Sequence, residues 1–116
     1  MVDQSVVAIT KEYLRALQRR GLPVRFGVLF GSWVQGKPHR WSDIDLVVVS
    51  PQFDHSHSWT DVTVLWRQAA RVDSRIEPIA CGERQWEADD SSMIIGIARR
   101  EGQRIALEEE PARPTS

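Results

Sequence analysis

Cysteine is nearly missing from this chain: Cys81 is the only one, so no internal disulfide and no cysteine-based zinc site can form. Long apolar runs are missing too. None approaches the ~18 residues that a membrane-spanning helix needs. The first residues, MVDQSVVAITKEYL, lack a basic region followed by an apolar stretch, so no signal peptide is expected. Charge of one sign is not in excess. The formal net charge of -1 gives no footprint for a polyanion, which makes a nucleic-acid partner unlikely. These absences predict a soluble, cytoplasmic domain with no membrane partner.

What is present fits one globular unit. The chain has 116 residues and 41% hydrophobic content, enough for a single core. No internal repeat or linker is visible. Residues 1–107 read as the folded domain, and 108–116, EEEPARPTS, as a disordered tail with nothing to bury.

Helical spacing of Val6, Ile9, Tyr13 and Leu17 predicts a helix over 3–20, stopped by Gly21 and Pro23. The almost continuously apolar run 24–30 predicts a strand buried on both faces. A second central strand should begin near Asp43 and end at Ser50-Pro51. Residues 52–58 read as a polar loop. Residues 59–72 read as a helix, with Trp59, Val62, Leu65, Trp66 and Ala69 on one side and both tryptophans in the core. A third strand over 75–81 is placed at an edge by Pro78. A turn or short helix over 82–88, a helix from Met93 to about Arg100 and a short edge strand over 103–107 complete the order.

The stretch Gly31–Asp45, GSWVQGKPHRWSDID, joins the first two strands. A Gly-Ser turn can bring backbone N–H groups and the Ser32 hydroxyl close to a phosphate, because glycine has no side chain to block the approach. A short helix opening at Ser32 would add N–H groups for an anion. Asp43 and Asp45 are two residues apart, so both carboxylates leave one face of the strand. Their repulsion would be relieved by Mg²⁺, which prefers hard oxygen ligands.

Singly, each feature has a plainer account. Gly31-Ser32 alone is any tight turn. Asp43 and Asp45 alone are a solvated strand end, and Glu77 alone is a surface acid. His55 and His57 read as loop residues rather than zinc ligands. Trp33 and Trp41 flank the turn, where packing is preferred to stacking on a base. Lys37, His39 and Arg40 read as a solvated loop.

Taken together, Gly31-Ser32, Gly36 and Ser42-Asp43-x-Asp45-Leu46 resemble the nucleotidyltransferase superfamily that includes DNA polymerase β. Within it the chain looks like the minimal nucleotidyltransferases, and the resemblance covers residues 3–107. Arg75-Ile76-Glu77-Pro78-Ile79 is similar to the third-strand acid motif of some standalone members. Where many minimal members carry a basic residue just after Gly-Ser, this chain has Trp33, Val34 and Gln35.

The resemblance implies an α/β (α+β) fold, a small mixed β-sheet with helices packed mainly on one face. It implies that Asp43, Asp45 and Glu77 hold two Mg²⁺ ions, and that Gly31 and Ser32, with Gly36 and Ser42, bind the substrate, ATP or another NTP. The expected reaction moves NMP, most often AMP, to a hydroxyl on a protein or small molecule. The resemblance also implies a separate helical partner (HEPN-like), as in toxin–antitoxin pairs where the nucleotidyltransferase is the antitoxin, or else a homo-oligomer. The rival expectation is a catalytically silent nucleotide-binding or docking module of the same fold.

Overall fold

In the computed structural model, residues 3–35, 42–55, 59–88 and 92–107 are described. The predicted tail, 108–116, lies outside them. The first helix, α1, is Gln4–Arg19, capped where the Asp3 carboxylate accepts from the Ser5 N–H at 2.8 Å. It ends at Gly21, whose φ of 97° reverses the chain. Strand β1 (Phe26–Phe30) follows, then the one-turn helix α2 (Ser32–Gln35) and strand β2 (Ile44–Val49). Helices α3 (Gln52–His55) and α4 (Trp59–Val72) cross over to strand β3 (Ile76–Cys81). Helices α5 (Glu83–Ala88) and α6 (Met93–Glu101) then lead to strand β4 (Gln103–Ala106).

The four strands form one mixed sheet in the order β3-β2-β1-β4. β1 runs antiparallel to β2 and β4, and β2 runs parallel to β3. Both central strands are buried on both faces, as their apolar runs require. β3 is an edge strand, as Pro78 predicts. The carbonyls of Arg75 and Cys81 accept from the Ile44 and Ser50 N–H groups of the β2 side. Odd-numbered β3 residues therefore face β2, and Pro78 turns its nitrogen outward, where no ladder bond is lost.

The sheet divides the core in two. On one face, Leu29, Ile44, Leu46, Val48 and Ile76 pack with Val6, Leu14 and Leu17 of α1 and Leu65 and Ala69 of α4. Each large aliphatic residue buried here contributes roughly 1.5–3 kcal/mol. Gly27 allows α1 to lie close, since an added Cβ would come within 2.8 Å of a Leu14 methyl. The Tyr13 hydroxyl donates to the Leu65 carbonyl at 2.9 Å and locks α1 to α4. On the other face, Val28, Val47, Val49 and Cys81 meet Trp86, Ile95 and Ala98. The heavier helical layer lies on one face as expected, and a smaller one, chiefly α6 over β1, covers the other.

Two expectations are corrected. The stretch predicted as a polar loop starts with α3, because Phe53 is buried among α4 and sheet residues while Asp54 accepts from the Arg84 and Gln85 N–H groups of α5. Trp66 is 48% exposed rather than core. α4 meets the sheet through Leu65 and Ala69, with Val64 and Val72 beside them, and this stripe is turned away from position 66. Residues 56–58 and the Trp59 side chain lie outside what is described.

Candidate active site

Alternation along the strands decides which face the acids take. Val47 and Val49 of β2, and Ile79 and Cys81 of β3, belong to the α6 face. Asp43, Asp45 and Glu77 have the same parity, so they share that face. Asp45 stands opposite Glu77 in the parallel pairing and opposite Phe30 in the antiparallel one. Among the described residues, α6 packs chiefly on β1. Asp43 is exposed, and Asp45 and Glu77 are half-buried.

The three acids affect one another. The Glu77 carboxyl is pushed above the usual carboxylate range by burial, then by a hydrogen bond with Asp43 and by the charges of Asp43 and Asp45. Asp45 is pushed up by burial and then by the charge of Asp43. This is the expected response of acids crowded in a half-dry site. Among the described residues, no group of three or more His, Cys, Asp or Glu side chains is placed to hold a metal ion by itself. The cluster is Asp45 opposite Glu77 in the strand register, with Asp43 two residues before Asp45 on the same face.

The Gly-Ser turn abuts this cluster. Gly31 has φ 81°, a left-handed conformation that glycine adopts without strain. A Cβ added there would collide with the Asp45 carboxylate, so the turn and the acid are in direct apposition. Ser32 begins α2, and the Val34 N–H donates to the Gly31 carbonyl at 3.0 Å. Ser42 is buried just before Asp43. Gly36, Lys37, His39, Arg40 and Trp41 lie outside the described residues.

The remaining candidates fall elsewhere. Trp33 is buried in the core, and its indole N–H donates to the Ser42 carbonyl at 3.1 Å. The sequence also offers Glu83 and Glu87 as acids competing with Glu77; Glu83 pairs with Arg25 at 3.3 Å, and Glu87 is exposed on α5. His55 is exposed and belongs to no metal-binding group among the described residues. Sequence reasoning missed Arg75, whose guanidinium lies 5.6 Å from the centre of the Trp33 ring. Its place two residues before Glu77 was legible, but no local pattern reports a contact so far along the chain. Among the described residues no helix is long and apolar enough to cross a membrane.

The donor set suits a hard divalent cation. All three side chains offer carboxylate oxygens, and the missing Cβ at Gly31 makes room for that of Asp45. Mg²⁺ keeps several waters and takes one or two carboxylates plus substrate phosphates, so an incomplete protein cage is sufficient for it.

Comparison with known proteins bears on the fold and the family. No curated protein matches the chain. Among solved structures, a toxin–antitoxin complex with AMP-PNP is similar at TM-score 0.56 and 22% identity, covering 82% of this chain and 71% of that one. The toxin–antitoxin MntA–HpeT, in a variant with two aspartates replaced by glutamate, is similar at TM-score 0.54 and 21% identity, with the same coverage. A candidate nucleotidyltransferase from Sulfolobus solfataricus is similar at TM-score 0.54 and 18% identity, covering 72% of each chain. These likenesses show the fold. The family model of the nucleotidyltransferase domain matches residues 10–110, nearly the whole chain, and the chain therefore belongs to the nucleotidyltransferase domain family.

Proposed function

We propose that the chain is a Mg²⁺-dependent nucleotidyltransferase that moves NMP, with AMP the first choice, from an NTP to a hydroxyl on a protein or small molecule. The observation that carries this reading is the apposition of Asp45 to the Gly31 turn, with Glu77 opposite Asp45 in the strand register. Asp43, Asp45 and Glu77 would hold the metal ions, two in number by resemblance to the family. Mg²⁺ bound there supplies Lewis acidity, which lowers the pKa of the acceptor hydroxyl and neutralises charge on the triphosphate. The Gly31–Ser32 backbone and the Ser32 hydroxyl receive the β- and γ-phosphates. The acceptor hydroxyl gives its proton to solvent and its oxygen forms a bond to the α-phosphorus as the bond to the bridging oxygen breaks in line, and pyrophosphate leaves with that electron pair. The chain's own contribution is position and charge, which is most of what phosphoryl transfer requires.

The toxin–antitoxin neighbours support a separate protein partner; that the partner is helical and carries the acceptor, with this chain as the antitoxin, is what the family resemblance implies. In one of them the two replaced aspartates are two positions apart, the spacing of Asp43 and Asp45. The test is transfer of label from α-³²P-ATP in Mg²⁺ to the protein encoded beside this chain, with parent and Asp43→Asn/Asp45→Asn compared. Label should appear on the acceptor only with the parent. Equal transfer by the double variant would overturn the assignment, and ATP binding without pyrophosphate release would leave a silent nucleotide-binding module.

A further inference from the structure

Asp43 lies just outside the regular part of β2, yet the backbone is held on both sides of it. Before it, the Ser42 carbonyl accepts the Trp33 indole N–H at 3.1 Å. After it, the Ile44 N–H donates to the Arg75 carbonyl at 2.8 Å. The two attachments are themselves joined, because the Arg75 guanidinium lies over the Trp33 ring. Asp73 fixes that guanidinium by accepting from Nε at 3.0 Å and from Nη2 at 2.8 Å. The result is a closed circuit: Trp33, Ser42, Asp43, Ile44, Arg75 and back to Trp33.

This circuit connects the three segments that make the site. Trp33 is in α2, directly after the Gly31 turn. Ser42 leads into the strand of Asp43 and Asp45. Arg75 leads into the strand of Glu77. Trp33 is buried under the site and Arg75 is mostly covered, so both act through the backbone of others. A phenylalanine would fill much of the same space at position 33 but could not donate to Ser42.

We propose that Trp33 is a positioning residue of the active site. Through its indole N–H and its cation–π contact with Arg75, it sets where Asp43 stands relative to Glu77 and keeps the phosphate turn in register with both acid strands. The inference rests on the reading of the acids as metal holders. Outer groups that orient metal ligands commonly change metal affinity by about 10–100-fold when lost.

The test is Mn²⁺ binding to the full chain, read from the electron paramagnetic resonance of the free ion with no nucleotide present. Trp33→Phe should weaken Mn²⁺ binding about 10-fold. Arg75→Lys keeps the charge and the backbone carbonyl but loses the guanidinium held by Asp73 over Trp33, and should weaken it about threefold. Leu65→Val, in the same hydrophobic cluster but outside the circuit, should lower the Tm and leave Mn²⁺ affinity within about twofold. In exchange measurements without metal, the Ile44 amide should lose protection in Trp33→Phe and not in Leu65→Val.

Parent-like Mn²⁺ affinity in Trp33→Phe, while Asp43→Asn loses it, overturns the positioning role and leaves the metal site standing. An equal loss in Leu65→Val also overturns it, since general loosening would then explain the effect. A parent that does not bind Mn²⁺, or an Asp43→Asn variant that binds as the parent does, overturns the metal reading and this inference together. Should Trp33→Phe fail to fold, Arg75→Lys decides alone by the same criteria.

Discussion

Asp54 and Asp73 are surrounded by donors, whereas Asp45 and Glu77 are surrounded by other acids. Asp54 accepts from the Arg84 N–H at 3.0 Å at the start of α5, and backbone hydrogen bonds, that of Arg84 foremost, hold its carboxyl below the usual range. Asp73 is lowered chiefly by the side-chain bond from Arg75. Asp45 and Glu77 shift the other way, through burial and then through their acidic neighbours. The first two carboxylates stabilise the fold at neutral pH. The other two oppose it, which is the expected sign for groups arranged for a cationic ligand rather than for stability.

The sharpest way to break this comparison is Glu77→Gln. Metal-dependent pyrophosphate release should fall about 100-fold or more. Scanning calorimetry of the metal-free variant should meanwhile show Tm raised by about 2–4 °C, since an amide ends the repulsion. A lowered Tm would put Glu77 with the stabilising carboxylates. Gly31→Ala comes next. The positive φ and the clash with Asp45 should cost about 1–3 kcal/mol in urea unfolding, together with most of the activity. An alanine tolerated without loss would mean that the turn and Asp45 are not in apposition.

Asp54→Ala tests the other side. It removes a helix cap, so Tm should fall by roughly 5 °C while kcat per folded molecule is unchanged. The smallest effect is in the pH dependence of the metal-free protein. Asp45 and Glu77 have raised pKa values, so the folded state takes up protons first as pH falls from 7, and stability rises. Asp54 and Asp73 have lowered values, so their contribution is present above the ordinary carboxyl range and is lost as pH falls through their folded pKa values. Tm against pH should therefore peak at about pH 4–5. Glu77→Gln should flatten the neutral side of that curve and leave the acid side unchanged.

Much of the site's frame was legible because it depends on local rules. Pro78 marks an edge, Ser92 and Gly102 bracket α6, and the parity of Asp43 and Asp45 puts both on one face. That Glu77 stands opposite Asp45 is a matter of register between strands, which only the family resemblance suggested. Less legible were features set by partners far along the chain. Phe53 turns a polar stretch into α3 because it reaches the core, and Asp54 adds a tie to α5. Trp66 fits the helical stripe as well as Leu65 does, and only packing against α1 and the sheet excludes it. The cover supplied by Trp86, Ile95 and Ala98 on the acid face was unreadable for the same reason.

Pro78 has a consequence beyond its own strand. An incoming chain that tried to extend the sheet along β3 would meet a gap in the row of donors there. Fibre-like stacking of copies through that border is therefore disfavoured.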